Sequence, residues 1–387
     1  MRKYLSKELE EYFVDLRHRF HSMPELAYEE NQTSTLVCEE LERMGIEYER
    51  GLAGTGVIAR IGTDVSDQAI MLRADMDALP IDEETGLEYA SKNPGVMHAC
   101  GHDGHMTMLL AAASVLKNDP DLGGVVYLLF QPAEEGGAGA KKLIDDGLFD
   151  RYDIDRVFGL HNHPTEKYGR FMIKKGPIMA SIDTWTVTVK GRSGHSSQPH
   201  RSINPIVVAS HIVLAIKSIS SLYIDPSSSH VVTVTKIEGG TTFNIIPDIC
   251  IVHGSARCFD DGVRMAIRRR IEEISHSIAA GFGADVDVEY NGVYPVTSNS
   301  VVESARAAAR KIGAEVSETH PPSMGSEDFS FFLQHTEGCY VWLGSEYSDG
   351  RDVFPLHSSR YDFNDDLIQL GASYWIELAK AELPPPQ

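Results

Sequence analysis

The stretch MHACGHDGH, from Met97 to His105, gathers three histidines, one cysteine and one aspartate into a single short run. Thiolate, imidazole and carboxylate are the donors that divalent transition metals take, and a catalytic site keeps one position open for water. The chain holds 16 histidines, so some clustering is expected by chance and the stretch needs partners elsewhere. Three further segments supply them: FQPAEEGGAGA carries Glu134 and Glu135, GLHNHP carries His161, and PLHSSRYDFND carries His357. Cys100 and His102 fall in a loop punctuated by Gly101 and Gly104, which lets both side chains turn to one point ahead of a helix expected to start near Thr107. Adjacent residues leaving a strand diverge, so one of Glu134 and Glu135 is placed to ligate and the other to face water. If the segments meet, their donors suffice for two metal ions. Water on such ions drops to a pKa of roughly 7, and a carboxylate that takes its proton and hands it to a departing amine completes a hydrolytic centre.

The elements around these residues place them at one edge of a sheet. Apolar runs at 69–72, 125–130 and 157–160 alternate with helical patterns that end at His21 and cover 34–44 and 107–116, as in an α/β sheet with helices on both faces. Each run leads into polar residues: the first into Asp75 and Asp77, the second into Glu134 and Glu135, the third into His161. Open α/β sheets bind ligands at the carboxyl ends of their strands. From Ser181 the texture changes: TWTVTVKG alternates with period two, NPIVVASHIVLAIKSI is helical, HVVTVTKIEGG and NIIPDICIVHGSARCF read as strands, VRMAIRRRIEEISHSIAAGFGA is an amphipathic helix and DVDVEYNGVYP a last strand. That β-α-β-β-α-β order is the ferredoxin-like split pattern. The expectation is an α/β catalytic domain, a mixed sheet flanked by helices, formed by 1–180 and 295–387, with an inserted ferredoxin-like α+β domain at 181–294.

Composition narrows the class further. A length of 387 residues exceeds what one core usually organises. The formal charge of -21 argues against nucleic acid and anionic membrane as partners, since both would repel the chain at long range. No run of about eighteen apolar residues stands out, so no transmembrane helix is expected. The charged, helix-periodic start MRKYLSKELEEYFVDLRHRFH lacks the apolar region of a secretory signal, and a cytoplasmic location is expected. The cysteines number five and show no CxxC spacing, which suggests neither a disulfide framework nor a zinc knuckle.

Taken together, MHACGHDGH, FQPAEEGGAGA, LRADMDALPIDEETGLEYAS, GLHNHP, GRSGHSSQPH, NIIPD and PLHSSRYDFND resemble the set found in the aminoacylase and carboxypeptidase metallopeptidases, family M20. The likeness is to its amidohydrolase branch of hippurate hydrolases, auxin-conjugate hydrolases, N-acyl-amino-acid amidohydrolases and N-acetyl-diaminopimelate deacetylases. It spans nearly the whole chain in order. The resemblance implies two divalent metal ions per subunit, zinc or manganese, with nickel or cobalt also suited to the donors. It makes Cys100, His102, Glu135, His161 and His357 the ligands and Glu134 the general base. Asp75 and Asp77 fall where the wider family has an HxD motif, but this chain reads Asp-Met-Asp and lacks that histidine. Both are therefore assigned to orienting a ligand, with their relative weight open. His195 resembles a histidine that stabilises the reacting oxyanion, and Asn244 and Arg257 resemble groups that grip a substrate carboxylate. The implied substrate is a small N-acyl amino acid, with a dipeptide, a carboxypeptidase substrate or N-acetyl-diaminopimelate as alternatives. A homodimer through the inserted lid domain is also implied.

Two other classes compete. Cys100 beside a histidine could be a thiol nucleophile, a reading that leaves Glu135, His161 and His357 without a role. A metal-binding scaffold would have no use for Glu134. Isolated histidines such as His18, His211, His253 and His276 read as surface or satisfied core residues, and His98, His105 and His163 as supports of their ligand neighbours.

Overall fold

The computed structural model describes residues 2–63, 65–347 and 349–385. It divides into two compact units, Met1–Ile178 with Ser298–Pro321 and Asp328–Gln387, and Met179–Thr297 with Pro322–Glu327.

The larger unit carries an eight-stranded mixed sheet in the order Glu47–Leu52, Gly56–Gly62, Val125–Gln131, Ala69–Asp75, Arg156–His163, Glu337–Gly344, Arg170–Met172, Glu315–Ser317. Ala69–Asp75 runs parallel to Val125–Gln131, with Asp75 opposite Gln131, and parallel to Arg156–His163, with Leu72 opposite Phe158. These three strands therefore end on one edge and deliver their polar ends there. Ala69–Asp75 is buried along its length, which is why it reads as a near-continuous apolar run. Four strands were not expected from the sequence. Glu47–Leu52 is polar and mostly exposed, Gly56–Gly62 lacks a polar alternation, and Arg170–Met172 and Glu315–Ser317 are too short to show a period.

Helix His102–Leu116 is buried nearly all round and packs against Asp366–Glu382 and Lys7–His21. A helix apolar on every face belongs in such an interior. It begins at His102, five residues before the start expected at Thr107. The apolar period starts late because the first turn is polar, yet Asp103 in that turn favours the positive end of the helix dipole. His102 is thus the first helical residue and not a loop residue.

The inserted unit follows the β-α-β-β-α-β order through Ser181–Lys190, Pro205–Lys217, His230–Gly239, Ile249–Cys258, Asp261–Gly281 and Asp285–Tyr294. Its antiparallel sheet has the order His230–Gly239, Ile249–Cys258, Ser181–Lys190, Asp285–Tyr294. Trp185, Val187, Val189, Ile212, Ile216, Ile267 and Ile271 form a separate core between sheet and helices. One expectation is corrected here: Pro205–Leu222 has the length and composition of a membrane-crossing helix. It is a helix, Pro205–Lys217, followed by a short second one, Ile219–Leu222, and it buries Val208, Ile212 and Ile216 in this core. About a third of the span is buried, while Ile206, Val207, Leu214 and Leu222 are exposed.

Candidate metal centre

The centre is built at the polar edge of the large sheet. Gly101 has φ +94, and a Cβ there would lie 2.4 Å from Asn162 Oδ1 and 2.8 Å from Tyr361 Oη. Only glycine satisfies both the backbone and the space, and the turn it makes sets Cys100 and His102 beside the strand end that carries His161. His161 Nδ1 donates to the Asn162 carbonyl at 2.8 Å, which directs Nε2 to within 3.3 Å of Cys100 Sγ. His102 Nδ1 donates to the Asp77 carbonyl at 2.8 Å. Its Nε2 is buried with no hydrogen-bond partner. A carbonyl can only accept, so this bond fixes the tautomer and leaves Nε2 as the free donor atom, the usual arrangement behind a metal-bound imidazole.

Donor atoms of Cys100, His102 and His161 lie within 4.8 Å of one another, as do those of Cys100, Glu135 and His357, and those of His102, Glu134 and Glu135. All five expected ligands and Glu134 therefore meet. Cys100, His102 and Glu135 each belong to two of these trios. His357 Nε2 is 3.2 Å from Glu135 Oε1. His357 also sits at φ +64, a conformation costly for a non-glycine residue and held by its N–H bond to the Ala99 carbonyl at 2.8 Å.

The electrostatics ask for cations. Burial pushes the Cys100 thiol well above its usual range, and Glu135, Glu134 and Asp75 push it further. Burial opposes charge on His102, but Asp75 and Asp77 more than offset it and hold its pKa up at about 10. His161, by contrast, is pushed well down, first by burial and then by His105. A site crowded with carboxylates that retains a proton on one imidazole is short of positive charge, and divalent ions would replace that proton. The donor set and the orphaned His102 Nε2 fit such ions.

The two aspartates differ in what they hold. Asp77 supports two candidate ligands at once, through its backbone carbonyl to His102 and through Oδ2, which accepts the Glu135 N–H at 2.8 Å. Asp75 lies 2.6 Å from His105 Nδ1, accepts from Arg73 Nη1 at 2.6 Å, and stands 3.6 Å from His102 Nε2. His105 Nε2 in turn lies 2.7 Å from Asn162 Oδ1, and Asn162 Nδ2 donates to Tyr361 Oη at 2.7 Å. Arg73 and Gln131 also bond Asp328, whose backbone N–H lies 3.4 Å from Glu134 Oε1. The roles of Arg73, Gln131, Asn162, Tyr361 and Glu30 were not evident from the sequence. The one signal for the first two was a charged and an amide side chain closing otherwise apolar runs. His98 is buried with neither ring nitrogen hydrogen-bonded, and burial pushes its pKa down to about 3.

The remaining candidates lie in the inserted unit. His195 pairs with Ile245 in the short ladder Gly194–His195 and Ile245–Ile246, next to Asn244, whose carbonyl accepts the Ser196 N–H at 3.1 Å. The Ser197 N–H donates to His195 Nδ1 at 3.1 Å. Nδ1 is then the acceptor and Nε2 carries the hydrogen. Arg257 Nη1 donates to the Met324 carbonyl and to Ser326 Oγ, both at 2.9 Å.

A model of peptidase family M20/M25/M40 matches residues 71–381. The chain is 42% identical to a hippurate hydrolase of Campylobacter jejuni, over 96% of this chain and 97% of that protein. It is 40% identical to thermostable carboxypeptidase 2 of Saccharolobus solfataricus, over 95% and 94% of the two chains. Among solved structures, the YXEP protein of Bacillus subtilis, described as a dinuclear metal-binding peptidase of family M20, superposes with a TM-score of 0.86 at 31% identity, over 98% of this chain and 99% of that one. The chain therefore belongs to peptidase family M20/M25/M40, as a metal-dependent amidohydrolase.

Proposed function

We propose that the chain cleaves the amide bond of N-acyl amino acids to a carboxylate and a free amino acid, using two divalent ions. The observation that carries this reading is the pair of donor trios sharing Cys100, with Glu134 beside them. Ions held there supply polarisation of the amide carbonyl and a water nucleophile available at neutral pH. Cys100, His102, Glu135, His161 and His357 hold them, and a thiolate among the donors favours zinc, with manganese the second choice. Glu134 takes the water's proton and passes it to the leaving amine. His195, with hydrogen on Nε2, donates to the developing oxyanion. Arg257 has Nη1 engaged by Met324 and Ser326, and its Nε and Nη2 face is the edge for the substrate carboxylate, with Asn244 as the second grip.

The thiol-nucleophile alternative fails on charge. An activated cysteine needs a depressed pKa, and here burial and the carboxylates of Glu135, Glu134 and Asp75 push Cys100 up. The carboxypeptidase reading keeps one support, the relative of that name. A homodimer through the inserted unit would cover Leu214, Leu222 and Phe243, whose side chains are exposed there.

The test is hydrolysis of N-acetyl, N-benzoyl and indole-acetyl amino acids and a dipeptide, before and after chelation and with zinc or manganese restored. Cleavage of an N-acyl member that is lost to the chelator and returns with metal supports the proposal. Preference for the dipeptide would move it to the carboxypeptidase reading, and activity indifferent to chelation would end it. Glu134→Ala should keep its metal and lose turnover by roughly 10²- to 10⁴-fold.

A further inference from the structure

The segment 25–30, ELAYEE, takes no part in the chemistry described above, yet it is tied to both catalytic loops. The Glu25 carbonyl accepts the N–H of Ala78, next to Asp77, at 2.8 Å, and Leu26 bridges Ala78. Tyr28 Oη donates to the Gly137 carbonyl at 2.7 Å. At its end stands Glu30, fully buried, far in sequence from any ligand. Its Oε1 accepts the N–H of Ala133 at 2.8 Å and that of Tyr28 at 3.0 Å, and its Oε2 accepts from Thr55 Oγ1 at 2.6 Å.

Ala133 is the residue from which Glu134 departs. It has φ +57, in the left-handed region that an alanine rarely occupies and keeps only where its surroundings over-determine it. Pro132 before it offers no N–H. Glu134 thus stands between two amide groups, Ala133 N–H and Glu135 N–H, each held by a buried carboxylate, Glu30 on one side and Asp77 on the other. The Asp77 bond fixes the ligand's departure from the chain. The Glu30 bond fixes the turn that aims Glu134.

We infer that Glu30 is a positioning residue of the hydrolysis, holding the left-handed turn at Ala133 so that the Glu134 carboxylate meets the reacting water. The inference rests on the reading of Glu134 as general base. What Glu30 supplies is acceptor geometry and not charge: a glutamine at 30 would keep an oxygen for the two N–H groups and turn its amide toward the Thr55 hydroxyl, whereas an aspartate would keep the charge and fall one methylene short.

The experiment compares Glu30→Gln, Glu30→Asp and Glu30→Ala with Glu134→Ala in the full chain, loaded with zinc, on the preferred substrate of the panel. It reads kcat, KM, bound zinc and thermal midpoint. Glu30→Asp and Glu30→Ala are expected to lose kcat on the order of 10- to 100-fold, the cost of a displacement of about an ångström at a catalytic group, with KM within about twofold and zinc content unchanged. Glu30→Gln is expected to stay within a few-fold of the parent. Full kcat in Glu30→Asp, or a kcat loss in Glu30→Gln equal to that in Glu30→Asp, overturns the inference. So does a loss that tracks the loss of zinc or of folded protein. Should Glu30→Ala not fold, the Gln and Asp variants decide the matter alone. If Glu134→Ala retains turnover, the general-base reading has failed, whereas an inactive Glu134→Ala beside an unimpaired Glu30→Asp fails the role of Glu30 only.

Discussion

At the scale of single residues, the candidate donors that the structure brings together could be named because metal chemistry admits few side-chain types, and Cys100, His102, Glu135, His161 and His357 stand in short motifs that display those types together. Asp75 and Asp77 were assigned as supports through the resemblance, but Glu30 was not, because a support is defined by a contact across the chain, and Glu30 lies 103 positions from Ala133. The two aspartates, whose relative weight the sequence left open, also make different contacts. The Asp77 carboxylate accepts the Glu135 N–H and stands 3.5 Å from His102 Nδ1, so Asp77→Ala, which keeps the backbone carbonyl bond to His102, should weaken metal binding by roughly tenfold to a hundredfold, read by titration of zinc against a competing chelator. Asp75→Ala should act more on stability, because it strips one carboxylate partner from Arg73, a buried guanidinium that also bonds Asp328 and Gln131. Removing a partner from a buried ion pair costs about 3 kcal/mol, visible in the denaturant midpoint. If Asp75→Ala loses metal affinity more than Asp77→Ala does, the 3.6 Å approach of Asp75 to His102 Nε2 outweighs the hold of the Asp77 carboxylate on Glu135.

At the scale of elements, the parallel strands were read from their apolar runs, while the start of His102–Leu116 was misplaced because its first turn is polar for reasons outside the helix. Arg17 and His21, on Lys7–His21, close onto Asp103 in that turn. His21 Nδ1 lies 2.8 Å from Asp103 and Nε2 3.3 Å from Glu83. Burial opposes its charge, but the bonds to Asp103 and Glu83 win and raise its pKa to about 9. A raised histidine stabilises fully below its unfolded pKa of about 6.5 and loses that contribution as pH rises through the folded value. The advantage of the parent over His21→Gln should therefore be largest at or below pH 6.5 and shrink toward pH 9, measured as the difference in urea midpoints. An advantage that grows with pH would show that His21 is held neutral. In the same turn Gly101→Ala should both destabilise the protein and lower its zinc content, since the new methyl meets Asn162 and Tyr361 and the backbone is left-handed.

At the scale of the whole molecule, the inserted unit was legible because its strands alternate, as in the burial pattern of Ser181–Lys190, and because its element order has one familiar solution. Its boundaries were less so, since Pro322–Glu327 joins it from far along the chain with no change of texture to mark the exchange. Each unit has its own core, one around Phe158, Leu110 and Trp375, the other around Trp185 and Ile267, with no residue shared. All five candidate ligands belong to the larger unit. A ligand that binds only the folded state stabilises what it binds, by about 2.7 kcal/mol at a hundredfold excess over its dissociation constant. Chelation should therefore lower the melting of the larger unit and spare the other. Two chains that each keep one reporter, Trp185 alone or Trp375 alone with the remaining tryptophans replaced by phenylalanine, separate the two by fluorescence. The Trp375 transition should fall on chelation and recover with zinc while the Trp185 transition stays in place. If both move together by the same amount, the two cores unfold as one cooperative body, and metal bound in one stabilises the whole chain.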